Sequence, residues 1–374
     1  MFDQAVIFSS GIGKHFTKVI DSGATDVAAG ISFSIVLKQD GSVWVMGRNF
    51  RGQLGDGTKM RRETFCFARL ITDAVAVAAG GYHSLVMTLE GDIWGSGWNR
   101  HGQLGSLASM AYTTRFRLIT REAQAMAGGD SHTIVLKRDG SVWAAGCNSK
   151  GQLGDGSKAD QEAFVKVMYN GAVDVIAGSE HSLVLKEDGS VWATGWNEYG
   201  QLGDWSTTDQ TVFVLVISSG TKIVAAGSRH SIVLKEDGSV WATGYQVYNE
   251  LGNGPASNSQ IFLQVISGGV EIVAAGAFHS MLLKKDGSIW ARDLSECDQC
   301  SDDSTEFENR FVRLSPFSYG AGHIIIIFTW IHLHHSTIVA THPITFYFDY
   351  SVFFVAHYLL PLACSCYLFI ATMH

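Results

Sequence analysis

The chain has 374 residues, 46% of them apolar and 17% charged, with a formal net charge of −8. Its charged share falls well below the usual figure of about 25%, and no basic stripe is present to neutralise phosphates, which argues against direct nucleic-acid contact. The six cysteines follow no period, unlike a disulfide framework, and the N-terminus lacks a basic start and a small-residue cleavage site. A reducing compartment, cytoplasmic or nuclear, is the expected location.

The first predicted strand is Phe16-Thr17-Lys18-Val19, followed by Ala28-Ala29-Gly30. From there a unit repeats, marked by Trp44, Trp94, Trp143, Trp192, Trp241 and Trp290 at spacings of 50, 49, 49, 49 and 49 residues. Such a period means a supersecondary unit that buries its apolar face only against copies of itself. In the cleanest copy, residues 173–178, 181–186 and 190–195 read as short strands, with Asp188-Gly189 predicting a type I′ hairpin turn. A corner Gly-Gln-Leu-Gly follows at 52–55, 102–105, 151–154 and 200–203, and Phe164, Phe213, Phe262 and Phe311 each head a fourth strand. Four antiparallel strands per unit describe an all-β fold, a β-propeller of four-stranded blades.

The motifs Ala-Gly-x-x-His-Ser, Asp-Gly-Ser-Val-Trp and Gly-Gln-Leu-Gly-Asp-Gly, repeated over residues 16–314, resemble the regulator of chromosome condensation repeat family. The blade limits are about 24–72, 73–122, 123–171, 172–220, 221–269 and 270–314. The resemblance implies closure at seven blades, with the seventh a hybrid of residues 16–20 and 315–341; six blades with an unpaired first strand is the alternative. On this reading the propeller occupies 1–341 and a hydrophobic tail 342–374.

The tail is anomalous, because from Leu314 to His374 the one charged side chain is Asp349. Residues 350–374 are long enough to cross a bilayer of about 30 Å, although His357 and Pro361 interrupt them and no flanking Lys or Arg sets an orientation. Three readings stand: a membrane anchor, a degenerate last blade with a hydrophobic extension, or poorly ordered read-through sequence. Any membrane contact is expected through 350–374 alone.

No catalytic set emerges from residue spacing, and neither a cofactor nor a metal site is expected. The repeat histidines His83, His132, His181, His230 and His279 would be spread around a ring and so are read as structural, as are the repeat tryptophans. Cys297-x-x-Cys300 lacks the second pair a zinc site of that class requires, and it lies among seven carboxylates between Asp293 and Glu308. That run reads as a solvated loop.

The resemblance implies, as candidate activity, guanine nucleotide exchange on a Ran-like small GTPase. The 49-residue spacing leaves no room for the inserted hairpin wedge of the family's exchange factor, and its basic extension is missing. The preferred expectation is a non-enzymatic protein-binding scaffold, with a regulatory fragment of a larger enzyme such as a ubiquitin ligase as a further alternative. Loops between strands one and two and between strands three and four should share one face. Their variable residues are the partner-binding candidates: Tyr82, Glu180, Arg229 and Phe278 from the former, Arg51, Arg100, His101, Lys150, Glu198 and Tyr199 from the latter.

Overall fold

Short β-branched runs separated by glycine turns are too brief for helices, and each pairs with the next run along the chain. In the computed structural model they form six four-stranded antiparallel sheets in simple sequence order, spanning 24–67, 74–120, 123–168, 172–217, 221–266 and 270–313. The structure describes residues 23–68, 71, 73–105, 110–245, 258–277, 279–292 and 311–313, with the backbone of the short strands Ile7–Ser10, Phe16–Ile20, Thr345–Phe346 and Phe354–Val355. Among the described residues no helix is long and apolar enough to cross a membrane. The anchor reading of 350–374 falls almost wholly outside them.

The fourth blade is representative, with strands Ala172–Ala177, His181–Lys186, Val191–Gly195 and Gln210–Ile217. Its second strand is buried on both faces and its fourth is half-exposed, so the sheet runs outward from the ring axis to solvent. The apolar core lies between blades: Leu183, Leu202 and Ile217 of blade four pack with Val224 and Val233 of blade five. Main-chain bonds tie the inner ends together, with Gly81 N donating to Gly129 O at 3.1 Å and Asp130 N to Ser179 O at 2.9 Å.

The hairpin turns differ from the type I′ expectation. Gly189 N donates to Lys186 O at 2.9 Å and Lys186 N to Ser190 O at 2.9 Å, which encloses three residues. Gly189 alone takes a positive φ, of 74°, giving a type I turn closed by a glycine bulge. The physical reason is the aspartate, whose carboxylate accepts from Ser190 N at 2.9 Å and holds Asp188 outside the left-handed region.

The repeat side chains have structural roles, as expected. Trp94, Trp192 and Trp290 pack against the core of the preceding blade. Each indole N–H, where the turn carries serine, donates to that serine, as Trp192 does to Ser190 Oγ at 3.1 Å. The buried histidines bridge blades: Nε2 of His83, His132 and His181 lies 3.0, 2.9 and 3.0 Å from the hydroxyls of Thr133, Ser182 and Ser231. Those hydroxyls donate at 2.7 Å to the carbonyls of Gln103, Gln152 and Gln201, so the Nε2–H must be the donor to them. Burial holds these rings neutral, pushing His83 down to about 4 and His132, His181 and His230 to about 3.

The strand Phe16–Ile20 pairs antiparallel with Ile7–Ser10, from Ser10 opposite Phe16 to Ile7 opposite Ile20. The alternative of an unpaired first strand is thereby corrected. The pairing is local, and a short hairpin closes at a small entropic cost. Residues 315–341, proposed as the other half of a seventh blade, lie outside the described residues.

Candidate functional site

The loop face is built on a rigid corner. In blade four Asn197 Oδ1 accepts from Leu202 N at 3.0 Å and its Nδ2 donates to Asp204 Oδ1 at 2.8 Å, while Gln201 Oε1 accepts from Tyr199 N at 3.0 Å. Leu202 fills the core beneath. Gly200 has φ 79°, and a Cβ there would sit 2.4 Å from Ser259 O of blade five, which explains the glycine. Asn49, Asn99 and Asn148 hold Leu54, Leu104 and Leu153 in the same way.

Backbone bonds join the two sets of loops, as the shared-face expectation requires. Trp98 N donates to Tyr82 O, Cys147 N to Ser131 O, Trp196 N to Glu180 O and Tyr245 N to Arg229 O, all at 2.8 or 2.9 Å. Side chains of these bonded residues and of the neighbouring corners then converge in two groups.

The first group spans blades one and two. Tyr82 sits 5.9 Å from Phe50 and 5.7 Å from Trp98, centroid to centroid, and His101 lies edge-on 5.5 Å from Trp98. The Arg48 guanidinium is 4.4 Å from the Phe50 ring, and Arg51 is 5.4 Å from Phe50 and 5.0 Å from Trp98. The second group spans blades three to five. Trp196 and Tyr199 are 5.2 Å apart, and Tyr199 and Tyr245 are 4.8 Å apart. Arg229 faces all three rings at 5.6, 5.1 and 5.4 Å.

Lys150 lies 5.6 Å from the Trp196 ring and 3.9 Å from Asp209, and Glu198 accepts from the Trp196 indole at 3.3 Å. Burial pushes the Glu180 carboxyl up; Lys150 opposes this, while Asp130 and Asp209 add to it. Asp130 is likewise pushed up by burial, against a hydrogen bond from Ser179. Arg100 stands exposed outside both ring groups, and Phe278 lies outside the described residues.

Nine of the ten candidate residues are thus placed on one face, and eight of them join the interactions just described. Residue-by-residue reading missed Phe50, Trp98, Trp196 and Tyr245, which supply most of the ring area. The available signal was Trp98 and Trp196, each four residues beyond a repeat tryptophan, at a point of the repeat where other copies carry Arg48, Cys147 and Tyr245. Such stacked rings with cations across them are worth about 0.5–1.5 kcal/mol per pair and present rigid anchors.

A family model described as RCC1-like domain matches residues 10–266. Among solved structures, human WBSCR16 superposes with a TM-score of 0.70 at 22% identity, covering 82% of this chain and 86% of its own. Yeast RCC1 (Prp20), solved bound to Kap60, gives a TM-score of 0.70 at 17% identity, covering 84% of each chain. Prp20p of Saccharomyces cerevisiae, described for its binding to Gsp1p and histones, gives 0.69 at 18% identity over 84% of this chain and 87% of that one. Comparison with curated proteins gives no match. At these identities the structural likeness speaks to fold.

Proposed function

The chain belongs to the RCC1-like domain family, and on that premise we propose that it is a non-enzymatic scaffold that captures a protein partner on the loop face of its propeller. The observation that carries this reading is the pair of pre-stacked aromatic and cationic groups on rigid corners, centred on Trp98 with Arg51 and on Tyr199 with Arg229. Rigid aromatics and arginines lose little entropy on binding and dominate interface energetics. The frame we infer for it is the seven-bladed ring, its last blade shared between 16–20 and 315–341, since an open ring would expose strand edges.

Quantitative capture experiments with the full chain test the reading. Proteins retained by the wild type and by a variant of the outer strands, but lost on R100A/Y199A/R229A, would identify the face. Identical profiles for the triple variant and the wild type would refute it.

A second reading is guanine nucleotide exchange on a small GTPase, favoured by family membership and by the description of Prp20p as binding Gsp1p. It is read by release of labelled nucleotide from a panel of small GTPases. Acceleration that disappears with the triple variant would replace the scaffold reading.

A further inference from the structure

Two residues past each corner asparagine, the side chains of Arg51, His101, Lys150 and Tyr199 reach across a blade boundary. There they meet Trp98, Cys147 and Trp196, which precede the next blade's corner asparagine, and Tyr245, which precedes Gln246 at the same point of the repeat. One slot therefore recurs at four boundaries with different contents. Between blades one and two it holds the Arg51 guanidinium, 5.0 Å from Trp98. Between blades three and four it holds the Lys150 ammonium, against Trp196 and 3.9 Å from Asp209. Both of these slots contain a fixed positive charge.

The slot between blades two and three keeps the carboxylate, since Asp160 occupies the place of Asp209, but the side chain facing it is His101 and the ring is replaced by Cys147. Nδ1 of His101 is 2.7 Å from Asp160 Oδ2, and ligand atoms of His101, Cys147 and Asp160 all lie within 4.8 Å of one another. We propose that this slot binds a divalent transition metal with zinc's ligand preferences, through His101 Nδ1, Cys147 Sγ and Asp160 Oδ2.

The donor set is an imidazole, a thiolate and a carboxylate, each a ligand type that zinc accepts, and three protein ligands are the number in zinc sites that leave a fourth position open. Around a tetrahedral ion with bonds of about 2.0–2.3 Å such atoms stand roughly 3.3–3.8 Å apart, between the closest and the widest separations seen here. Each ligand hangs from a backbone already held in place. Asp160 Oδ1 accepts from Asn148 N at 2.9 Å, Cys147 N donates to Ser131 O at 2.8 Å, and His101 N donates to Gln103 Oε1 at 3.1 Å. On binding, the ion takes the place of the hydrogen between Nδ1 and Oδ2, the imidazole proton moves to Nε2, and the thiol proton of Cys147 is released to solvent. Because His101 lies edge-on to Trp98, the ion would also fix one wall of the first ring group.

The test is cobalt(II) and zinc(II) titration of the full reduced chain, carried in a C297S/C300S/C364S/C366S background so that the two closely spaced cysteine pairs elsewhere in the chain contribute nothing. One cobalt per chain is expected, with a thiolate-to-cobalt charge-transfer band in the near ultraviolet. C147S should abolish that band, and C147S, H101Q and D160N should each weaken zinc binding by at least about tenfold, as lost ligands do. Thermal midpoints are recorded with and without zinc: a rise in the parent that is absent from C147S supports the site, provided that the zinc-free transition of C147S is cooperative and close to the parent's. The proposal is overturned if the parent shows no stoichiometric binding at micromolar metal, or if the band and the affinity survive C147S.

Discussion

The buried middle of each blade and the loop face above it are the same chain read twice, a few residues apart, with opposite results. In the middle, His83, His132 and His181 make one bond to one kind of hydroxyl, and Leu104, Leu153 and Leu202 fill one kind of hole. On the face, equivalent positions carry Arg51, His101, Lys150 and Tyr199, and each boundary holds a different arrangement. Repetition below is enforced by packing, since any change in volume is felt by two blades. Above, the corner asparagine and glutamine satisfy the backbone between them, which frees the side chains of the intervening residues to differ.

The comparison breaks most readily with pH. His83, His132, His181 and His230 are neutral when folded down to about 4 or about 3, whereas unfolded histidine protonates near 6.5. The unfolded state therefore binds four more protons at these sites near pH 5. Asp174 acts in the opposite sense, since burial raises it to about 7 and the folded chain holds that proton. The stability loss begins as pH falls through 6.5, and near pH 5 three protons net correspond to about 4 kcal/mol per pH unit. Urea midpoints measured from pH 7.5 to 5 should show this slope, and H181Q should flatten it by about one proton; a flat profile in the wild type would contradict neutral buried rings.

Core and corner come next. Leu202→Ala empties a fully buried site and should cost about 2–5 kcal/mol in urea unfolding; a cost below 1 kcal/mol would mean that the blades repack. The R100A/Y199A/R229A face variant should instead stay within about 1 kcal/mol of the wild type, and a much larger loss would show that the ring groups hold the fold together.

The smallest expected effect sharpens the contrast. Trp205 is 79% exposed and takes a φ of 68°, where the equivalent Gly57 and Gly156 have 86° and 87°. A bulky residue in that region is strained by about 1–2 kcal/mol, partly offset by the entropy glycine loses on folding. Trp205→Gly should raise stability by up to about 1 kcal/mol. An unchanged or lower midpoint would mean that the indole makes contacts worth the strain.

Much of the architecture was legible in the residues. The tryptophan period, the glycine corners and the phenylalanine 21 residues past each of the last four repeat tryptophans led to six four-stranded blades, because strand pairing here is local and each motif satisfies its own backbone. The hairpin type was misread, since Asp188 looks competent for a left-handed turn until its carboxylate is seen to be engaged by Ser190. Sequence periodicity by itself determined which positions face the loops and which enter the core, through hydrogen bonds and burial that repeat with every unit. Which residues meet across a boundary, Arg229 with Trp196 or His101 with Cys147 and Asp160, was decided by tertiary structure alone, because those side chains lie on different blades and become neighbours only when the sheets twist and stack around the ring.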